Sequence, residues 1–305
     1  MPKIFFIINP KAGTGRKDIV ETAIDTYLDR TRHEATIQYT THAGHAAEMA
    51  REMAGKTDII VAVGGDGTVN EVARSLVYTP TALGIIPAGS GNGLARHLRI
   101  PMDPAEAMKL INEACIDKLD YGRINGEAFF CTCGVGFDAF ISMKFAEAGK
   151  RGLSTYIEKT LQDGLSYRPE VYHIELDGEN ETHEAFLIAC ANASQYGNNA
   201  YIAPNASTRD GLLDVTILTP FSPLEAPQIV LQLFNRQLTK NSHVKIFRTR
   251  HLRITREKPG PAHIDGDPVN MGDTLEVEPL PAALHAVVNS HHGHRPPMLP
   301  KVQDM

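Results

Sequence analysis

Three glycine-rich segments hold the residues of this 305-residue chain best suited to grip phosphate. They are Asn9-Pro10-Lys11-Ala12-Gly13-Thr14-Gly15-Arg16, Gly64-Gly65-Asp66-Gly67-Thr68 and Pro87-Ala88-Gly89-Ser90-Gly91-Asn92-Gly93, each directly behind a short apolar run. Glycine carries no Cβ, so backbone N–H groups in such loops approach phosphate oxygens closely. A helix opening behind the loop adds partial positive charge. Asp66 stands apart, because a carboxylate between glycines either holds a metal ion or caps the following helix, and Thr68 could cap instead. The chain has no GxxxxGK[ST] segment and is not a P-loop NTPase, and Gly13-x-Gly15 does not complete a dinucleotide fingerprint. One such loop is easily a tight turn. Three on one sheet edge are hard to explain by turn chemistry alone.

The elements that must position these loops follow from hydrophobic patterning. Lys3–Asn9, Ala35–Thr40, Asp58–Val63 and Ala82–Ile86 read as buried strands, and Lys17–Arg30, His45–Met53, Thr68–Val77 and Ala105–Asn112 as helices. Such alternation predicts a mostly parallel sheet with helices on its faces, whose ligand edge is the carboxyl end of the strands. After Lys118 the pattern turns to hairpins. Asp120–Ile124 and Ala128–Cys133 flank Asn125-Gly126, and Val171–Leu176 and Ala185–Ala191 flank Asp177-Gly178. Strands are expected at Leu212–Leu218, Val244–Thr255 and Thr274–Val277, and helices at Ala139–Glu147, Tyr156–Leu165 and Leu224–Phe234. The expected fold class is therefore α/β. A Rossmann-like N-terminal domain (residues 1–118) precedes a β-rich, β-sandwich-like domain (119–288) and a loose His- and Pro-rich tail (289–305).

Composition narrows the functions. A formal charge of −6 and a pI near 6.1 argue against general nucleic-acid binding, which favours a basic surface. No apolar run approaches the roughly 20 residues that cross a bilayer. The N-terminus reads as a buried strand rather than a signal peptide. Cys115, Cys131, Cys133 and Cys190 lack metal or disulfide spacing. A cytoplasmic protein is expected.

GGDGTVNE at Gly64–Glu71, with the upstream NPKAGTGR and the downstream PAGSGNGLAR, resembles the diacylglycerol kinase catalytic family. That family includes bacterial soluble lipid kinases, sphingosine kinases and ceramide kinases. Gly134–Ala139, Asp210–Val215 and Asp265-Gly266-Asp267-Pro268 occupy family-like positions, so the resemblance spans roughly Lys3 to Val288. GGDGT alone would also admit NAD kinases; PAGSGN and the late DGDP segment favour lipid kinases.

The resemblance implies a magnesium-dependent kinase of phospholipid metabolism, moving the terminal phosphate of ATP onto a hydroxyl of a diacylglycerol-like or sphingoid lipid. It implies that Asn9, Pro10, Lys11, Ala12, Gly13, Gly65, Asp66, Gly67, Thr68, Val69, Asn70 and Glu71 line the nucleotide, with Thr40 and Ser90 adding hydroxyls. Asp66 would engage the phosphates through magnesium. A structural magnesium would take the Ser207 carbonyl, the Asp210 carboxylate and the Leu212 carbonyl, and Asp267 would accept the hydroxyl proton, with Asp265 as its local competitor. The DGD string also reads as a calcium-like loop or a hairpin turn. Two departures stand out: Asp267 replaces the usual glutamate, and Ser90 and Gly93 replace the threonine and aspartate of many bacterial diacylglycerol kinases. An NAD kinase, or a non-catalytic nucleotide or lipid binder, is the alternative. Asp138 could meet a lipid headgroup or cap a helix. Arg236, Lys240, Lys245, Arg248, Arg250, Arg253, Arg256 and Lys258 form a basic run that could touch anionic headgroups or be a solvated strand face. Membrane contact would be peripheral and transient, and a homodimer is left open.

Overall fold

Ile4–Ile8 and Ile59–Val63 are unbroken apolar runs because their strands are buried on both faces, as parallel strands between helices must be. The computed structural model describes residues 1–13, 17–148 and 167–289. Strands β1 (Lys3–Ile8), β2 (Glu34–Tyr39), β3 (Ile59–Gly64) and β4 (Ala82–Pro87) pair in parallel in the order β2-β1-β3-β4. Helices α1 (Lys17–Tyr27) and α5 (Pro104–Glu113) pack together, as do α2 (His45–Met53) and α3 (Asp66–Leu76); a short α4 (Gly93–His97) follows β4. Successive connections leave β1 in opposite directions, so a crevice opens at the carboxyl ends of β1 and β3. In open α/β sheets that is where ligands bind.

The second half forms two layers. The six-stranded layer runs β12 (Val244–Thr249), β11 (Leu213–Leu218), β10 (Leu187–Ala191), β7 (Thr132–Gly136), β14 (Gly260–Ile264), β15 (Asp267–Met271), all antiparallel. The facing layer holds β5 (Ile116–Ile124), β6 (Glu127–Phe129), β8 (Glu170–Leu176), β9 (Glu179–Ala185), β13 (Leu252–Arg256) and β16 (Thr274–Val287). Val135, Ile188 and Val215 of one layer pack against Tyr172, Ile254 and Val277 of the other. The outer face of the six-stranded layer is covered by α6 (Phe137–Ala148) and α7 (Ala226–Phe234) through Ile141 and Ile229. The two halves share one sheet, because β16 pairs with β5 and β13 and touches β4 through Ala286 and Leu83.

Asn125-Gly126 and Asp177-Gly178 turn hairpins as expected, with φ of 46° and 92°, and 49° and 96°. The partner of β8, however, is β9 and not the expected Ala185–Ala191, which lies in the other layer as β10. β9 reads as polar because only His183 and Ala185 of its seven residues are buried. The single strand expected over Val244–Thr255 is two, in different layers, broken at Arg250-His251. Thr274–Val277 is the start of a 14-residue strand whose register shifts between Leu280 and Leu284, which accommodates Pro281. β14 and β15 had no apolar alternation to betray them. The helix expected at Tyr156–Leu165 and the tail beyond residue 289 lie outside the described residues.

Candidate active site

The described part of the first glycine loop (residues 9–13), the other two loops and Thr40 lie at the carboxyl ends of β1 to β4. The Asn9 side chain donates to Thr68 Oγ1 at 3.0 Å and accepts from the Lys11 N–H at 3.0 Å, so it ties the first loop to the second. Thr68 is spent on this clamp and is buried, while Pro10 and Lys11 stay exposed. Ala12 and Gly13 are half-buried, with Gly13 in the left-handed region at φ 55°.

Asp66 opens α3, but its carboxylate does not cap that helix: the N-cap residue is Gly65, with no side-chain hydrogen bond. Instead the two oxygens accept from the N–H of Asn92 at 2.8 Å and of Gly93 at 2.6 Å. The GGDGT loop thus holds the third loop in place. The approach is close enough that a Cβ on Gly89 would lie 2.4 Å from the Gly65 Cα, and one on Gly91 would lie 2.6 Å from Asp66 Oδ2. Each Asp66 oxygen keeps a lone pair for a cation. Burial pushes its pKa up, the two backbone N–H groups pull it down, and the negative charge of Asp267 adds to the upward push.

Other members of the expected nucleotide set divide by role. Gly67, in the first turn of α3, and Ser90, on the third loop, are exposed, and Gly65 is half-buried. Val69 is buried in the core, so only its backbone can face a ligand. Glu71 accepts from the N–H of Gly44 and Ala46 at 3.0 and 3.1 Å, fixing the loop after Thr40 at the start of α2. Thr40 itself is half-buried and donates its N–H to the Ile8 carbonyl. Asn70 reaches across to the second half and donates to Asp265 Oδ2 at 2.8 Å.

Asp265 and Gly266 form a hairpin turn between β14 and β15, with φ of 49° and 88°. The Asp265 carboxylate also accepts from the N–H of Phe130 (2.9 Å), Cys131 (2.7 Å) and Thr132 (3.0 Å). Four donors engage it, so Asp265 anchors the turn. Asp267 is exposed at the first position of β15. Arg256 pins the same hairpin. It is buried, and its guanidinium donates to the carbonyls of Gly260, Pro261, Met271 and Gly272 at 2.7 to 3.1 Å. Nothing in the sequence set it apart from the basic run around it.

Asp210 lies in the loop before β11. Its carboxylate meets the Arg248 guanidinium and accepts from the Leu212 N–H at 3.1 Å. Arg248 also sits 3.5 Å from Asp214 Oδ2, a buried oxygen with no hydrogen bond. Burial raises the Asp214 pKa to about 6, against the opposing charge of Arg248. Asp120 is a hub the sequence did not flag: it accepts from the N–H of Gly211 (2.8 Å) and Ala282 (2.7 Å), joining this loop to the β16 bulge. Arg248 thus serves the Asp210 and Asp214 carboxylates, and one Asp214 oxygen is left without a hydrogen bond. Among the described residues no three His, Cys, Asp or Glu side chains converge as a metal cage, so one carboxylate, the Ser207 and Leu212 carbonyls and water would have to hold a cation. If a magnesium ion sits there, Asp210→Ala abolishes the difference in melting temperature between magnesium and chelator. Equal differences in both proteins would remove the site.

Asp138 is buried, donating nothing and accepting from Tyr196 Oη at 2.8 Å, from the Ala139 N–H at 2.8 Å and from His263 Nε2 at 3.0 Å. It begins α6 and is shut off from solvent. Beside α6 a cavity of ≈ 390 Å³ is lined by Gly136, Phe140, Met143, Tyr167 and Tyr172, among others.

His97 of α4 joins the halves from the other side. Its Nδ1 accepts from the Ser194 N–H at 3.1 Å. Burial, then the charges of Arg209 and Arg99, lower its pKa to about 4 from 6.5. Below about pH 6.5 the unfolded chain takes up a proton that the folded chain refuses. The contribution of neutral His97 is complete above that pH and is lost as pH falls towards 4, up to about 3 kcal/mol. Melting curves at pH 7 and pH 4.5 should differ more for the natural protein than for His97→Gln. An equal acid loss in both would show that this contact does not carry the sensitivity.

Residues 3–124 match the diacylglycerol kinase catalytic domain, and residues 132–288 match the YegS C-terminal NAD kinase beta sandwich-like domain. The chain is 30% identical over 310 residues to the diacylglycerol kinase of Mycobacterium tuberculosis, covering 95% of this chain and 96% of that one. Its fold matches the crystal structure of a diacylglycerol kinase from Bacillus anthracis with a TM-score of 0.76 at 24% identity, over 95% of this chain and 97% of that chain. An NAD kinase from Archaeoglobus fulgidus, solved in complex with ATP, matches with a TM-score of 0.52 at 14% identity, over 94% of each chain. That similarity is one of fold alone.

Proposed function

This chain belongs to the diacylglycerol kinase catalytic-domain family, and we propose that it transfers the γ-phosphoryl group of ATP to a hydroxyl of a diacylglycerol-like or sphingoid lipid. The observation behind this reading is the hydrogen bond from Asn70, one turn along α3 from Asp66, to Asp265, which brings the β14–β15 hairpin that carries Asp267 against the carboxyl edge of the parallel sheet. Phosphoryl transfer asks a protein mainly for positioning and charge neutralisation. The N–H groups of the three loops and the start of α3 orient the phosphates. Magnesium, held at Asp66, would neutralise their charge. Asp267 accepts the proton of the attacking hydroxyl as the new P–O bond forms and ADP leaves. It lies exposed at the start of β15, whereas Asp265 is held by its four donors.

No helix among the described residues is long and apolar enough to cross a membrane. The enzyme would work from the cytoplasm and meet its lipid by transient contact with a bilayer surface. Labelled ATP offered with diacylglycerol, monoacylglycerol, sphingoid base, ceramide, phosphatidylglycerol and NAD tests the reading. Label is expected in one lipid class and not in NAD. Label in NAD alone would make the chain an NAD kinase, and binding of ATP with no transfer to any acceptor would make it a sensor.

A further inference from the structure

The basic run of the sequence does not survive as one surface. Arg248 turns to Asp210 and Asp214, Arg253 to Glu276 and Glu175 at 2.5 and 3.3 Å, and Arg256 is buried. Its N-terminal part behaves differently. Helix α7 contains no charged residue, and only Ile229 of its nine residues is buried. Leu224, in the 3-10 turn that leads into it, is 91% exposed, and Leu231 is 62% exposed, with Val230 at 36% and Ile246 at 38%. Large aliphatic side chains this open are costly in water unless something covers them.

The charges around this knuckle have one sign. From Phe221 to Ile246 the cations are Arg236, Lys240 and Lys245, and the sole carboxylate is Glu225. Glu225 is occupied, accepting from the Ser222 N–H at 2.8 Å and lying 3.2 Å from His243 Nε2. Lys240 is exposed and Arg236 stacks over Tyr201 at 4.0 Å, whereas Lys245 turns to the opposite face of β12, 3.4 Å from His183 of β9. On a chain of net charge −6 this is a local basic rim around an apolar centre.

We propose that α7 and the turn before it form the surface by which this protein docks on the anionic headgroup face of a lipid bilayer. The aliphatic side chains enter the headgroup boundary while Arg236 and Lys240 meet anionic headgroups. A second copy of the chain fits worse, because a twofold contact would lay this basic rim against its own image. The surface is also tied to the site. The Tyr201 N–H donates to the Leu233 carbonyl at the end of α7, and Arg236 donates to Tyr201 Oη at 2.6 Å. Tyr201 continues the loop whose Gly197 packs on Gly91 of the third glycine loop. The biological meaning of docking rests on the lipid kinase reading; the docking itself does not.

Flotation of the full chain, without ATP, on vesicles of phosphatidylcholine alone and of phosphatidylcholine with phosphatidylglycerol tests it. Binding is expected to the mixed vesicles only. Leu224→Asp combined with Leu231→Asp should weaken it by about tenfold or more at unchanged melting temperature, since both side chains are exposed. Lys240→Glu should weaken it by about fivefold, an effect that added salt imitates. Turnover on a water-dispersed short-chain lipid should be unaffected. Natural protein that floats with neither vesicle, or variants that float as well as it does, would overturn the proposal. So would a natural dimer that the double variant splits, which would assign the surface to a second copy. Flotation as expected with no lipid phosphorylated would keep the surface and remove the kinase reading.

Discussion

Asp66→Ala is expected to lower turnover by about 10³-fold, because it removes charge placed where the transferring phosphoryl group must be stabilised. Two effects combine. The carboxylate that would hold magnesium is gone, and the N–H groups of Asn92 and Gly93 lose their acceptor, freeing the third glycine loop. Asp66→Asn separates them. An amide keeps one oxygen for one N–H but carries no charge, so it should restore part of the thermal stability and little of the rate. Steady-state turnover alongside thermal melting reads both quantities. An alanine variant that retains a tenth of the natural rate would show that Asp66 braces the loops and nothing more.

Asp267→Asn should cost lipid phosphorylation about 10²–10⁴-fold while leaving ATP affinity nearly unchanged, since the amide keeps the shape and loses the basicity. The side chain is one methylene, roughly 1.5 Å, shorter than the glutamate usual in the family. The tight Asp265-Gly266 turn, locked by Asn70 and by three backbone N–H groups, fixes where it starts from. Asp265→Asn should act differently. An amide has one acceptor oxygen for four donors, and each buried donor left unpaired costs about 1–3 kcal/mol. That variant should melt earlier. Transfer abolished by Asp265→Asn at unchanged stability, with Asp267→Asn nearly silent, would move the base two residues upstream. If both are silent, the hydroxyl loses its proton without a protein base.

The parallel half of the fold was legible because its signals are local. β1 and β3 are continuous apolar runs, and each glycine loop follows its strand directly. The partners of Asp66 were not legible. Asn92 and Gly93 lie 26 and 27 residues away, and nothing in either segment announces the hydrogen bond. The same holds for Asn70 and Asp265, separated by 195 residues. Gly65–Glu71 opens a helix, as its pattern predicts, and the direction of each side chain there follows from the helical turn. Hence Thr68 faces Asn9, Val69 the core, Asn70 the second half and Glu71 the start of α2. β9 and β16 escaped for opposite reasons, one too polar and one interrupted by prolines. The basic run misled because sequence proximity does not tell which guanidinium points inward.

The central claim is that one phosphoryl group leaves ATP and arrives on a lipid hydroxyl. Its most direct measurement is the stoichiometry of ADP released to lipid phosphate formed, with the accepting lipid in mixed micelles and magnesium present. Equal amounts of both products, lost together in Asp66→Ala, are the predicted result. ADP released without lipid phosphate, or phosphate recovered on NAD, would contradict the account.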